Sequence, residues 1–305
     1  MAQDGSTKDV STPAGSAFGR GLRIVLDLSK ARITFAVTFS VTTGWVVHNG
    51  TFDVAMLFPV LGVFLLACGS ATLNHVQDRR YDAQMERTRQ RPIPSGRISV
   101  RGALVVSAIF VFAGLNVLSY VEHQPWVVLG LGAFSIVFYN GIYYGLKRVT
   151  AFAVVPGALI GAVPPLMGWC AAGGAFFDPR IIAVAAFFFI WQIPHFWLLV
   201  QIYGKQYEGA GLPSPTSLIT PTQLKRITVA WSFLTIVCGL ALARMQINTQ
   251  PWGALALLGS IALAYAAVGY VRNEPTAKGA RKFFMQLNAY ALAMMLLLMA
   301  GALTR

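Results

Sequence analysis

Three oxygen-bearing side chains recur at every fourth residue where an apolar run ends, namely Asn74, Asp78 and Asp82. On an α-helix this spacing places all three on one face, with a slow drift around the axis. Two carboxylates and an amide offer the hard oxygen ligands that Mg²⁺ prefers, and bound Mg²⁺ is often shared with substrate phosphates. The spacing therefore predicts a divalent-cation site at the end of this apolar segment.

A stiff, basic segment follows the three oxygen ligands. Arg87, Arg89 and Arg91 lie within five residues, and Pro92 and Pro94 restrict the backbone after them. Guanidinium groups bind phosphate oxygens bidentately, so this segment suits a diphosphate. The arginines alone would equally fit anionic lipid, but together with the carboxylates they predict a site for a metal and a diphosphate.

The elements that position these side chains must lie in a membrane. The chain has 305 residues, of which 56% are hydrophobic and 11% charged, and its mean hydropathy is +0.60. These values exclude disorder and argue against an ordinary soluble domain. About 20 apolar residues cross a hydrocarbon core, and nine such segments lie near residues 33–48, 54–73, 103–120, 126–144, 152–170, 181–203, 227–245, 252–270 and 283–303.

We therefore predict an all-α, polytopic membrane protein. About nine transmembrane helices would form one bundle over residues 29–305, around a central cavity open to the cytoplasmic side and to lipid. A polar tail, residues 1–28, precedes the bundle. Residues 18–28 predict a short interfacial amphipathic helix, with Leu22, Val25 and Leu28 on one side.

The basic residues indicate the orientation. Of the 24 Lys and Arg residues, all but Arg180, Arg244 and Arg305 fall in the tail or in alternate loops on the same side. The positive-inside rule makes that side cytoplasmic. We expect a multi-pass protein of the inner (cytoplasmic) membrane with a cytoplasmic N-terminus, and this topology explains the net charge of +13 without nucleic acid.

These residues resemble the intramembrane prenyltransferases of the UbiA superfamily, and within it the haem O synthases, or protohaem IX farnesyltransferases. The superfamily pattern Asn-x₃-Asp-x₃-Asp is met by Asn74, Asp78 and Asp82, and residues 82–92, DAQMERTRQRP, continue as in the haem O synthase branch. Further matching segments are LKRVT at 146–150, GAVPPLMGW at 161–169 and WQIPHFW at 191–197. The resemblance runs from about Ser29 to the C-terminus.

The resemblance implies a Mg²⁺-dependent transfer of a farnesyl group from farnesyl diphosphate to a vinyl group of haem b, giving haem O. The implied catalytic residues are Asn74, Asp78 and Asp82, which with Glu208 are also the implied metal ligands. The implied diphosphate-binding residues are Lys30, Arg32, Arg87, Arg91, Lys147, Arg148 and Lys205. The implied haem contacts are His195 and Trp191. The lipid bilayer would hold the apolar substrates, and the product suggests an association with haem A synthase or with terminal oxidase assembly.

The chain departs from the family pattern in the loop after the sixth predicted helix and at the start of the fifth. The family's Asp-Tyr pair reads Gln206-Tyr207, which leaves Glu208 as the nearby carboxylate. The family's Pro-Met-Leu-Pro reads Pro-Ser-Pro-Thr at 213–216, and Ala153 stands where the family has asparagine. Either Glu208 replaces the missing aspartate, or one cation suffices, or the substrate or the activity has changed.

Other functions fit part of the pattern. A UbiA-type prenyltransferase acting on a quinone or another aromatic acceptor would use the same aspartates with a different acceptor pocket. A diverged, non-catalytic haem- or lipid-binding membrane protein would account for the altered loop. A transporter would have broken helices and a polar midplane, but the charged residues here lie in predicted loops and no inverted repeat is visible.

Overall fold

The computed structural model describes residues 17–247 and 251–305, and within these ranges it contains helices and turns but no strand. The principal helices are α1 (Ala17–Leu28), α2 (Ala31–Asn49), α3 (Leu57–Asp82), α4 (Val100–Leu118), α5 (Pro125–Val137), α6 (Leu159–Ala171), α7 (Pro179–Gly209), α8 (Pro221–Gln246), α9 (Trp252–Arg272) and α10 (Ala277–Leu303). The predicted all-α membrane bundle is thus confirmed.

The number of membrane spans differs from the prediction. Among the residues that the structure describes, eight helices are long and apolar enough to cross a membrane. The segment predicted near residues 33–48 does form a helix, α2, but this helix is not among the eight. Its Ser and Thr residues lower its hydropathy, and several hydroxyls bond to the backbone, as Thr43 Oγ1 does to the Phe39 carbonyl at 3.1 Å. The count of nine spans is therefore not confirmed.

Helix α2 packs in the centre of the bundle, against α3, α6 and α10. Its contact with α6 is close because glycines face backbone on both sides. A Cβ atom on Gly44 would clash with the Pro165 carbonyl oxygen, and one on Gly168 would clash with the Val41 carbonyl oxygen. Small residues allow such close approach where helices pack in a membrane.

Helix α3 carries the predicted metal ligands beyond the apolar part of the bundle. Its 26 residues span roughly 39 Å at 1.5 Å per residue, which exceeds the roughly 30 Å of a hydrocarbon core. Its apolar part packs along α4. The last turns, which contain Asn74 to Asp82, therefore lie where a membrane gives way to water.

Helix α1 forms where the interfacial helix was predicted. Leu28, at its end, is buried in a small cluster with Val76 and Ile93, while Leu22 and Leu26 remain about half exposed. An apolar, exposed side on a short helix beside the bundle suits a membrane surface. Residues 1–16 of the predicted tail lie outside the described residues, and the interfacial position of α1 stays a prediction.

Candidate active site

The three predicted oxygen ligands lie at the end of one helix, as their spacing requires. Asn74, Asp78 and Asp82 all belong to α3, and Asp82 is its last residue. The Asn74 side-chain amide donates to Asp78 Oδ2 at 3.0 Å, so these two side chains share a face. Asn74 and Asp82 are buried, which lowers the local dielectric and strengthens every charge interaction around them.

Each carboxylate is held by a cationic side chain from a different segment. Lys147 Nζ lies 2.7 Å from both oxygens of Asp78. The Arg91 guanidinium donates through Nη1 to both oxygens of Asp82, at 2.8 and 2.9 Å. These pairs are largely shielded from solvent, so the loss of either partner would leave a poorly solvated charge.

Lys30 completes the set, because its ammonium donates to Asn74 Oδ1 at 3.1 Å. Lys30 precedes α2 with a φ of 49°, a left-handed conformation that costs a non-glycine residue about 1–3 kcal/mol and clusters at functional sites. Burial, and next the positive charge of Arg91, lower the pKa of Lys30 to about 8, against the opposing effect of Asp78 and Asp82. A bound anion would favour the charged ammonium again.

A π-helical turn, Phe138–Tyr143, continues α5 toward Lys147. Its buried Asn140 accepts from Ser70 Oγ at 2.6 Å and donates to Gln77 Oε1 at 3.2 Å. Gln77 returns a bond to the Asn140 carbonyl at 2.6 Å. These bonds fasten the turn to α3, and π-helical turns occur frequently at functional sites. The network thereby fixes the π-helical turn, after which Lys147 reaches Asp78.

An apolar cavity of about 330 Å³ lies within the bundle. Lys30 lines its polar end, and Tyr139, Phe196 and His195 contribute aromatic wall. Aliphatic residues of α2, α3, α5, α6 and α7 form most of the remainder. We call the cluster of Lys30, Asp78, Asp82, Arg91 and Lys147 the charged mouth. The cavity therefore joins this mouth, through Lys30, to an interior suited to an apolar or aromatic molecule.

His195 is oriented by a partner on another helix. Its Nδ1 lies 2.7 Å from Asn288 Oδ1 on α10, and the Asn288 amide donates to the Phe284 carbonyl at 2.6 Å. Because the amide nitrogen is used there, Oδ1 is an acceptor, which assigns the proton of neutral His195 to Nδ1. The Nε2 lone pair remains available on a side chain that lines the cavity. The Trp191 ring lies 5.0 Å from the His195 ring.

The C-terminal part of α7 meets the loop after α3 at Arg87. The Arg87 backbone N–H donates to Gln206 Oε1 at 3.4 Å, and its guanidinium lies 3.5 Å from Tyr207 Oη. The same guanidinium stands over the Tyr203 ring at 4.9 Å. Gln206, which replaces the family's aspartate, therefore still faces the loop after α3, but it brings an amide instead of a carboxylate.

Glu208 lies near the end of α7, and its partner is in the segment that follows the helix. Its Oε1 accepts from Thr216 Oγ1 at 2.5 Å, and Thr216 also bonds to Ser214. Across residues 17–247 and 251–305, no three His, Cys, Asp or Glu side chains gather where a metal could bind. The structure thus brings Asn74, Asp78 and Asp82 together but does not add Glu208 to them, and a metal role for Glu208 stays a prediction.

The remaining predicted diphosphate ligands have fewer fixed contacts. Arg148 stands over the Tyr144 ring at 5.6 Å, and its side-chain hydrogen bond with Tyr81 raises its pKa. The side chains of Arg32 and Lys205 are exposed. Their roles in diphosphate binding stay predictions.

The donor chemistry of the site fits a divalent cation. Asn74, Asp78 and Asp82 supply only oxygen donors, and their oxygens already accept cationic nitrogens at 2.7 to 3.1 Å. Such a set suits Mg²⁺, which usually takes one or two carboxylates and completes its coordination with water and phosphate oxygens.

Sequence reasoning missed the residues that orient the site. Ser70, Asn140 and Gln77 form the network behind the π-helical turn, and Asn288 orients His195. The available signal was the presence of Asn140 and Asn288 inside predicted spans, where polar side chains are usually functional.

Comparisons with known proteins identify the family. The model of the UbiA prenyltransferase family matches residues 35–288. The chain is 33% identical to the protoheme IX farnesyltransferase of Oleidesulfovibrio alaskensis over 284 residues, which covers 92% of this chain and 97% of that one. It is 36% identical to the protoheme IX farnesyltransferase of Geobacter sulfurreducens over 234 residues, which covers 76% of this chain and 84% of the relative.

Solved structures share the fold at low sequence identity. One is digeranylgeranylglyceryl phosphate synthase, with a TM-score of 0.75 and 16% identity, over 93% of this chain and 99% of that one. Another is a UbiA homologue from Archaeoglobus fulgidus bound to GPP and Mg²⁺, with a TM-score of 0.66 and 13% identity, over 92% and 100%.

Proposed function

This chain belongs to the UbiA prenyltransferase family, and we propose that it transfers a farnesyl group from farnesyl diphosphate to a vinyl group of haem b, giving haem O. The observation that carries the proposal is its 33% identity to a protoheme IX farnesyltransferase across almost all of both chains. The charged mouth above an apolar cavity supports it physically, since the reaction joins an anionic leaving group to apolar substrates.

The side chains around α3 would bind and neutralise the diphosphate. Lys30, Arg91 and Lys147 each carry N–H donors beyond those used for Asn74, Asp82 and Asp78. Charge-assisted bonds from these donors to phosphate oxygens would stabilise the negative charge that builds as the C–O bond breaks. The electron pair of that bond leaves with the diphosphate.

We further propose that the oxygens of Asn74, Asp78 and Asp82 hold Mg²⁺. Bound there, the cation would supply further positive charge to the departing diphosphate. The donor set supports this assignment, as does the Mg²⁺ bound with GPP in the homologue from Archaeoglobus fulgidus.

The cavity would protect the allylic cation from water. Tyr139 and Phe196 line it, and aromatic faces attract cations. The terminal vinyl carbon of the acceptor then bonds to the farnesyl carbon. Water adds to the other vinyl carbon and loses a proton, which leaves the hydroxyethylfarnesyl group.

His195 would contact the acceptor at the iron. Its Nε2 lone pair is available because Nδ1 carries the proton that bonds to Asn288, and imidazole is a good ligand for haem iron. Trp191, whose ring already packs against the His195 ring, would also contact the edge of the haem.

We place the protein in the inner (cytoplasmic) membrane with its N-terminus in the cytoplasm. The distribution of Lys and Arg between alternate loops supports this orientation. It would put the charged ends of α3 and α7 on the cytoplasmic side. An association with haem A synthase or terminal oxidase assembly would follow from the use of haem O and can be tested by co-purification.

The proposal is tested by giving membranes that contain the protein farnesyl diphosphate and Mg²⁺ with haem b, with a phenolic acceptor or with no acceptor. Mass spectrometry should detect haem O only with haem b. Prenylation of the phenol without haem O would instead assign a quinone-type reaction. Binding of haem b without any product would assign a non-catalytic role.

A further inference from the structure

A second pocket, of about 260 Å³, lies between the end of α1, helix α3 and the loop after α3. We call it the basic pocket, because Lys30, Arg87, Arg91 and Arg97 contribute to its wall. Lys30 lines both this pocket and the apolar cavity. The Asp78–Lys147 pair, proposed above for the diphosphate, does not line it.

His75 also lines the basic pocket, and nothing in the proposed mechanism uses it. Its side chain is only 2% exposed, and neither ring nitrogen has a hydrogen-bond partner. Buried polar groups are nearly always satisfied. Since His75 follows Asn74 directly, it points about 100° away from it around the helix, which is a different direction from the Asn74–Asp78 face.

Arg97 is held rigidly at the pocket wall. It donates through Nε to Ser95 Oγ at 3.1 Å, through Nη2 to the Gln90 carbonyl at 2.7 Å and through Nη1 to Asp27 Oδ2 at 3.0 Å. Each Nη keeps a second N–H for a ligand. A fixed guanidinium loses little entropy when it binds an anion.

The charges around the pocket leave a positive excess. Four cationic side chains, those of Lys30, Arg87, Arg91 and Arg97, face Asp27 in the wall and Asp82, which pairs with Arg91. Arg91 and Arg97 are thus paired, whereas Lys30 and Arg87 have no carboxylate partner among the described residues. Because Lys30 already serves the diphosphate proposed above, the positive charge that this pocket can offer a second anion lies on Arg87 and on the free N–H groups of Arg97. Together with the unsatisfied buried imidazole of His75, these donors suit an anionic, hydrogen-bonding ligand.

We propose that the basic pocket binds the two propionate carboxylates of the haem b acceptor, with Arg97 and His75 as specificity-determining contacts. This inference rests on the proposed function. Because the pocket and the apolar cavity share Lys30, one molecule can place its carboxylates in the pocket and its apolar edge, with the vinyl groups, in the cavity. Neutral His75 contributes a ring N–H to a carboxylate oxygen.

The test compares haem b with its dimethyl ester, in which both carboxylates are neutral. The purified protein is titrated with each compound, and binding is followed by the Soret band.

Arg97→Gln should weaken the binding of haem b by roughly 10-fold or more, as the loss of a charge-assisted hydrogen bond implies. It should leave the binding of the ester unchanged. His75→Phe, which keeps an aromatic ring without polar atoms, should show the same selectivity with a smaller loss. Arg101→Gln, an exposed arginine of α4 outside the pocket, serves as the matched control and should change neither.

The basic pocket could instead bind the diphosphate of farnesyl diphosphate, which is anionic like the propionates. The KM for farnesyl diphosphate should stay unchanged in both variants, and a rise in that KM with unaltered haem binding would overturn the inference. So would an equal loss of affinity for haem b and for its ester, or no loss in either variant. If Arg97→Gln destabilises the protein through Asp27, the selectivity of His75→Phe decides. A wild-type protein that binds haem b through these residues but forms no haem O would refute the proposed function and leave this inference standing.

Discussion

Lys147 Nζ lies 2.7 Å from both carboxylate oxygens of Asp78, so an ammonium that follows the π-helical turn after α5 binds the central acid of the motif on α3. Both side chains are mostly shielded from water. The pair places an ammonium where a diphosphate would bind beside the proposed metal ligands.

Lys147→Gln should lower kcat/KM for farnesyl diphosphate by roughly 10-fold to 150-fold, because a hydrogen bond to a charged group is worth about 1.5–3 kcal/mol. Steady-state rates of haem O formation measure this effect. Lys147→Arg keeps the charge and should recover part of the loss. An unchanged kcat/KM in Lys147→Gln would exclude contact with the diphosphate.

Glu208, the implied metal ligand near the end of α7, gives a paired prediction. If it binds the metal, Glu208→Gln should raise the Mg²⁺ concentration needed for the half-maximal rate, whereas Thr216→Val, which removes only its hydrogen-bond partner, should leave that concentration unchanged. Mg²⁺ titrations of the initial rate provide the measurement. A higher Mg²⁺ requirement in Glu208→Gln alone would mean that Glu208 replaces the family's aspartate as a ligand.

Asn288 should act through His195 as a positioning residue. Asn288→Leu removes the acceptor for Nδ1–H and should weaken haem b binding roughly 10-fold to 100-fold, as changes behind a metal ligand typically do. Asn288→Asp keeps an acceptor and strengthens donation to iron, so the midpoint potential of bound haem should fall. Soret titrations and redox titrations measure the two effects.

His195→Gly provides the control for this prediction, because added imidazole should restore the Soret spectrum of bound haem. If Asn288→Asp and Asn288→Leu shift the potential alike, Asn288 has only a packing role.

The close contact between α2 and α6 should be sensitive to one methyl group. Gly44→Ala forces a Cβ against the Pro165 carbonyl, and overpacking typically costs about 1–3 kcal/mol. The melting temperature in detergent should fall accordingly. Gly130→Ala is the matched control, since a Cβ there meets nothing within 4 Å, and an equal melting temperature for both variants would refute the packing argument.

The spacing of Asn74, Asp78 and Asp82 was sufficient to predict their common helix, because helical periodicity is local. Helix α2 shows the limit of hydropathy: its hydroxyl residues lower its average, yet α2 forms a central helix. Whether a segment packs centrally depends on its neighbours, as with Gly44 and Pro165, and a local average cannot show that.

The ion pairs of the site could not be predicted in the same way. The family resemblance implied Lys147 and Arg91 as diphosphate ligands, but their pairing with Asp78 and Asp82 follows from how the segments after α5 and after α3 fold back. The π-helical turn that fixes α5 depends on Ser70 and Asn140, which lie 70 residues apart. Such contacts are set by tertiary packing and leave no periodic signal.

The central claim is that the oxygens at the end of α3 hold a cation that draws the diphosphate away from the isoprenoid. The most direct measurement is the initial rate of haem O formation against Mg²⁺ concentration, for the wild type and for Asp78→Asn. Asp78→Asn keeps the shape but removes a charge, and since such stabilisation is worth several kcal/mol, its rate should fall roughly 10²-fold to 10³-fold and respond weakly to added Mg²⁺. A variant with the wild-type rate and the wild-type Mg²⁺ dependence would contradict the account.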